Sequence, residues 1–92
     1  MHLEIFPGGE IVAHGLDDLR LGVESTQALL VSTAATRLRD LGIAVPDRVI
    51  ASPEAKLYRL LASRHGAGAH SKYNAWRRRL SRFLRAARCA ER

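Results

Sequence analysis

The C-terminal third of the chain carries the pattern that most restricts its fold. At about 100° per residue, its apolar residues fall on one helical stripe about 100° wide, and Lys or Arg covers most of the remaining circumference. Such a helix is stable only when its stripe packs against other elements. We therefore predict a helix from about His70 or Ser71 to Ala90, docked on a core that the rest of the chain supplies. The stripe consists of Tyr73, Trp76, Leu80, Phe83, Leu84 and Ala87.

A second pattern predicts a central helix from about Thr26 to Leu41. Ser25 is its expected N-cap, because a serine hydroxyl can accept a hydrogen bond from a free N–H of the first turn, and Thr26 is the alternative. Gly42 is expected just beyond its end. Between residues 28 and 35 only two short polar side chains interrupt the apolar run. A helix that is apolar on nearly all sides belongs in the centre of a fold.

A third helix is predicted to begin at the segment 52–54, which reads Ser-Pro-Glu. This order combines an N-cap, a proline in the first turn and an acid near the positive end of the helix dipole. The helix should end near His65, since Gly66 follows. Residues 43–51 are then a connector that packs down on the core, with room for a short strand. The inward residues of the third helix are predicted to be Leu57, Tyr58, Leu60 and Leu61.

The N-terminal residues predict a β-hairpin. Apolar segments at residues 3–6 and 11–13 flank the sequence Pro-Gly-Gly-Glu, which is typical of a tight turn. A lone hairpin is marginal in water, so it should lie on the helices. Gly15 and Gly22 then bracket a short helix of one or two turns.

Together these patterns predict a single domain over residues 1–92. The fold class is mainly α, a small bundle of about four helices with an N-terminal β-hairpin packed on it. Residues 1–14 form the hairpin, and residues 15–42 form the short helix and the central helix. The connector at 43–51 leads into a helical hairpin at 52–92, which ends in the basic helix.

Composition excludes several classes of protein. The 47% of apolar residues is too high for a disordered tail, and one Cys cannot build a disulfide framework. No window approaches the roughly 18 continuous apolar residues of a membrane span, and the N-terminus lacks the pattern of a signal peptide. We therefore expect a cytoplasmic protein without a membrane partner. The wealth of Ala, Arg and Gly is typical of a GC-rich bacterial genome.

The net charge of +6 is unevenly divided. Residues 1–46 hold three cations against six acids, a net −3, and residues 47–92 hold twelve cations against three acids, a net +9. This asymmetry predicts an anionic partner, which could be nucleic acid, an acidic protein or the acidic half of the chain itself.

The candidate binding residues lie on the basic helix. Arg78, Arg82 and Arg85 share one face at spacings i, i+4 and i+7, where they could contact backbone phosphates. We predict a small non-enzymatic module that associates with nucleic acid. The alternative is a protein-interaction subunit or homo-oligomer that uses the same face or the hairpin edge. A solvated face neutralised by the chain's own acids is equally open. The flanking candidates are Lys72, Arg77 and Arg88.

A polar cluster at the start of the same helix is the other candidate site. His70 could exchange a proton near neutral pH, and Tyr73 and Asn74 could hydrogen-bond a ligand. The bland interpretation is that these residues cap and pack the helix. Neither a cofactor nor a small-molecule substrate is indicated. No metal site is predicted either, because two histidines alone make a weak site and the candidate ligands show no known spacing: His2, His14, His65, His70 and Cys89.

Residues 57–80 resemble in part the helix–turn–helix pattern of DNA-binding domains. Ala62 and Gly66 have the small-residue and turn-glycine spacing of that pattern. The turn at 66–69 is about one residue too long, however, and Lys72 stands where the second helix should bury a side chain. A plain helical hairpin explains the same residues, and the chain is not assigned to that family.

Overall fold

The computed structural model describes residues 3–90. These residues form α-helices joined by turns, no strand occurs among them, and none of the helices is long and apolar enough to cross a membrane. The mainly α prediction is therefore confirmed, and the N-terminal β-hairpin is wrong. The helices are α1 (Gly9–Leu21), α2 (Thr26–Thr33), α3 (Ala35–Asp40), α4 (Pro53–His65) and α5 (Ala69–Ala90), and 3₁₀ turns occupy Leu3–Ile5 and Gly66–Gly68.

The predicted hairpin turn is in fact the start of α1. Gly8 has a φ of 75°, a left-handed conformation that glycine adopts without strain. Its carbonyl accepts a hydrogen bond from the N–H of Val12 at 3.3 Å, which opens the helix. The predicted short helix at 16–21 is only the second half of this 13-residue helix. Its buried residues follow helical spacing and do not alternate: Gly9, Ile11, Val12, Gly15, Leu16 and Leu19.

The N-terminal turn packs tightly on α1 and α5. A Cβ atom on Gly9 would lie only 1.6 Å from the carbonyl oxygen of Leu3, so this approach requires glycine. The ring of Phe6 meets the ring of Phe83 edge to face, with 5.9 Å between centroids. Aromatic pairs of this geometry are favourable beyond the area they bury. Residues 3–6 are thus held by packing and not by strand pairing.

The central position predicted for the helix after Ser25 is confirmed for α2. The Ser25 hydroxyl accepts a hydrogen bond from the N–H of Ala28 at 3.1 Å, as an N-cap should. The same hydroxyl donates to a carboxylate oxygen of Asp18 at 2.5 Å, which ties the end of α1 to the start of α2. Leu30 and Val31 are fully buried.

The predicted continuous helix from Thr26 to Leu41 is broken at Ala34. This residue has φ −117° and ψ 17°, and it separates α2 from α3. Just before the break, the hydroxyls of Ser32 and Thr33 donate to backbone carbonyls one turn earlier, at 2.9 and 2.6 Å. Such bonds compete with the helical ladder and bend helices. The chain after Ala34 forms α3 as a separate short helix.

The connector packs down as predicted, but the start of α4 differs from the prediction. The N–H of Ile50 donates to the Ser32 hydroxyl at 3.3 Å, and Ile43 is buried. Ser52 has a left-handed φ of 49°, and its side chain makes no capping hydrogen bond. Tyr58, predicted to face inward, is 40% exposed. The buried face of α4 consists of Leu57 and Leu61.

The apolar stripe of α5 lies where the sequence predicts it. Leu80, Phe83 and Ala87 are buried, and they belong to one core cluster with residues of α1, α2 and α4. Tyr73, Trp76 and Leu84 are partly buried at its edge. The opposite side of the helix faces solvent, and this side carries the arginines.

Candidate anion-binding surface

Three predicted binding residues lie together on the outside of α5. Arg78, Arg82 and Arg85 are exposed, and their spacing sets them opposite the buried stripe. We call these three residues the arginine face. Arg77 and Arg88 are also exposed beside this face, whereas Lys72 is exposed near Trp76 and Arg79. Packing of the stripe against the core therefore directs the cations outward.

The acids of the N-terminal half do not neutralise the arginine face. Within residues 3–90, no carboxylate oxygen lies within 4 Å of a basic nitrogen of α5. Three of these acids instead contact basic side chains elsewhere, two of them within α1. Asp18 lies 3.1 Å from the His14 ring, Asp17 pairs with Arg20 at 2.5 Å and Glu24 with Lys56 at 3.9 Å.

Two aromatic side chains at the edge of the stripe each have an arginine guanidinium group over the ring. The Arg79 guanidinium carbon lies 5.4 Å from the centre of the Trp76 ring, and that of Arg77 lies 5.7 Å from the centre of the Tyr73 ring. Cation–π contacts at such exposed positions are each worth about 0.5–1 kcal/mol. Arg79 is one of the cations of the basic helix but is not among the predicted binding residues, although a helical wheel places it beside Trp76.

The polar cluster predicted at residues 70–74 is only partly assembled. The His70 Nε2 and Asn74 Nδ2 atoms are 3.2 Å apart, within hydrogen-bonding distance. Tyr73 does not join them, because its ring packs on Tyr58 with 5.5 Å between centroids. Within residues 3–90, no three His, Cys, Asp or Glu side chains could hold a metal ion together. His2, one of the considered ligands, lies outside the described residues.

A cavity of about 330 Å³ lies between α3 and the C-terminal half of α5. Arg37 lines it from α3 and is not among the predicted binding residues, because the sequence does not show which side chains of the two helices meet. The cavity brings Arg37 next to two of the predicted binding residues. The lining residues are Arg37, Ser81, Leu84, Arg85, Arg88 and Cys89.

The structure gives no support to the partial helix–turn–helix resemblance. His65 and Lys72, at positions that the pattern would bury, are both exposed. Among known proteins, no family model, curated protein or solved structure matches this chain. The geometry of α5 and its neighbours is therefore the basis for a functional proposal.

Proposed function

We propose that this protein is a small non-enzymatic module that binds nucleic acid through the arginine face. The observation that supports this proposal is the absence of counter-charge, within residues 3–90, near the cations of α5. Uncompensated positive charge on one side of a protein attracts polyanions. The proposal includes a cytoplasmic location, where such a partner is abundant.

The shape of α5 suits contact with a phosphate backbone. Its 22 residues span about 33 Å. Guanidinium groups form bidentate hydrogen bonds with phosphate oxygens, and a row of exposed arginines on a helix can contact successive phosphates of one nucleic-acid strand. Nothing in the arginine face is shaped to read base edges, so the proposed binding is directed to the backbone and has modest sequence specificity.

A salt titration tests the proposal. We expect a fluorescently labelled duplex or single strand to bind in anisotropy measurements at low salt. Each phosphate contact with duplex contributes about −0.9 to the slope of log affinity against log salt. Replacing Arg78, Arg82 and Arg85 by Gln should therefore flatten the slope by about 2–3. Absence of binding to either form of nucleic acid at low salt would refute the proposal.

A matched triple variant separates a local contact from a general loss of charge. Arg20→Gln, Arg48→Gln and Arg59→Gln also remove three exposed cations, but none of them lies on α5. We expect this control to keep most of the affinity and the salt slope. If the two triple variants bind equally weakly, the net charge governs binding and the arginine face does not.

In the alternative function, a protein-interaction subunit or homo-oligomer, the arginine face is the remaining candidate interaction surface among the described residues. The hairpin edge is no longer a candidate, since no strand occurs within residues 3–90. The same titration distinguishes the two functions. A complex that survives nuclease treatment and contains an acidic protein or a second copy of the chain would replace the nucleic-acid proposal.

The non-enzymatic part of the proposal rests on the cluster at residues 70–74. Its tyrosine is engaged in ring packing, and its histidine has an amide as its neighbour. No described carboxylate lies within 4 Å of His70 to orient it for proton transfer. His70→Ala should therefore leave nucleic-acid binding unchanged.

A further inference from the structure

The cavity between α3 and α5 is lined by three arginines, a serine, a leucine and a cysteine. The three arginines line it from two helices, and Ser81 adds a hydroxyl that can donate a hydrogen bond. No described carboxylate lies within 4 Å of the basic nitrogens of Arg37, Arg85 or Arg88. Like charges around one cavity repel each other, and an anion between them relieves this repulsion.

Both walls of the cavity are anchored in the core. Leu38 of α3 and Ala87 of α5 are fully buried members of the same apolar cluster. Arg37 is next to Leu38 in the chain and Arg88 is next to Ala87, so the positions of these arginine backbones are set by core packing. A site with fixed walls loses less entropy when a ligand binds than a site formed by two mobile loops.

The size of the cavity indicates a small ligand group. Its volume of about 330 Å³ is near the lower end of the range for ligand pockets. Arginine forks match the oxygens of phosphate, and Leu84 supplies an apolar patch for whatever the phosphate is attached to. We propose that this cavity binds a phosphate group, held by Arg37 from one side and by Arg85 and Arg88 from the other. This site is separate from the arginine face, although Arg85 borders both.

Cys89 provides a direct measurement of occupancy. It is the single cysteine of the chain, it is exposed, and it lines the cavity. Its rate of alkylation by N-ethylmaleimide therefore reports on this place alone. We expect inorganic phosphate to slow alkylation in a saturable way, relative to sodium chloride at the same ionic strength. No difference between the two salts would overturn the proposal.

Arg37 is the decisive position, because it lies outside α5. Losing one charged hydrogen bond to phosphate weakens binding about tenfold or more, so Arg37→Gln should raise the half-protecting phosphate concentration by about that factor. Arg39→Gln removes the same charge from the same helix, but Arg39 donates to the carbonyl of Pro46 and does not line the cavity. Equal effects of the two variants would overturn the proposal. Arg88→Gln should reproduce the effect of Arg37→Gln if the latter disturbs folding.

A second arm identifies the source of the phosphate. An oligonucleotide without terminal phosphates is added in place of inorganic phosphate. If both ligands protect Cys89 from alkylation and Arg37→Gln abolishes this protection, the cavity binds backbone phosphates. If inorganic phosphate alone protects Cys89, the cavity binds a free phosphate compound. Arg78→Gln should weaken oligonucleotide binding and leave protection by inorganic phosphate unchanged. These outcomes distinguish failure of the nucleic-acid proposal from failure of the cavity proposal. The cavity proposal is overturned if neither inorganic phosphate nor the oligonucleotide protects Cys89.

Discussion

Replacing Gly15 by Ala tests the packing at the centre of the fold. Gly15 lies in α1 where that helix approaches α2. A Cβ atom at this position would be 2.5 Å from the carbonyl oxygen of Gln27 and 2.5 Å from Cγ2 of Val31. Ordinary contacts begin near 3.4 Å, so the two helices would have to separate by about an ångström. Val31 is fully buried and cannot turn away.

Two effects of this substitution oppose each other. Alanine favours the helix over glycine by about 1 kcal/mol. Overpacking a close-packed interior costs about 1–3 kcal/mol, and here the obstacle includes backbone, which moves only if α2 moves. A backbone obstacle places the cost in the upper part of that range, about 2–3 kcal/mol, so after the helix preference of alanine is subtracted we expect a net loss of about 1–2 kcal/mol in the free energy of unfolding. For a chain of this size, the melting temperature should fall by about 4–16 °C.

The assay is thermal and urea unfolding followed by far-ultraviolet circular dichroism. Gly68→Ala is the matched control, because its Cβ would lie 3.8 Å from the nearest atom, Cβ of His65, which is an ordinary contact. This control should be as stable as the natural protein or up to about 1 kcal/mol more stable. A Gly15→Ala variant that is as stable as the control would refute the close approach of α1 and α2.

Other substitutions test separate contacts in the same unfolding assay. Ser25→Ala should cost about 1 kcal/mol, because it removes the hydroxyl that caps α2 through the N–H of Ala28, and Ser25→Thr should restore most of this stability, because it keeps a hydroxyl that can cap the helix and donate to Asp18. Phe83→Ala should cost about 3–5 kcal/mol, because removal of its fully buried ring leaves a cavity. Phe6, its partly buried partner ring, should cost less when replaced by Ala, and the reverse order would contradict the burial of Phe83. Gly8→Ala should cost more than 1 kcal/mol, since it combines a positive φ with a Cβ contact of 2.8 Å to backbone, and an unchanged midpoint would argue against this helix start.

Local signals predicted part of the fold correctly. The apolar residues of α5 repeat with helical spacing over almost the whole helix, and an α-helix is the conformation that places them all on one face to be buried. The Ser25 cap and the end of the segment at Gly42, with φ 82°, depend on backbone chemistry within a few residues. These features do not depend on which other element packs against them.

Signals that several structures share misled the prediction. Pro-Gly-Gly can turn a hairpin or start a helix, and the apolar residues before it are too few to distinguish the two by spacing. Here the docking of Phe6 on Phe83 and the approach of α1 to α2 favour the helix. Ser52 satisfied the sequence rule for an N-cap, yet its left-handed backbone leaves the side chain without a capping bond.

The amino-acid order alone predicts a basic amphipathic C-terminal helix with its charge concentrated on one side, because both features follow from the helical repeat. Only the tertiary structure decided that three acids of the first half lie against basic side chains outside α5 and that, among residues 3–90, the arginines of α5 have no carboxylate within 4 Å. It also decided that Arg37 joins Arg85 and Arg88 around one cavity. Charged side chains that are far apart in the sequence come into contact only where core packing brings their helices together.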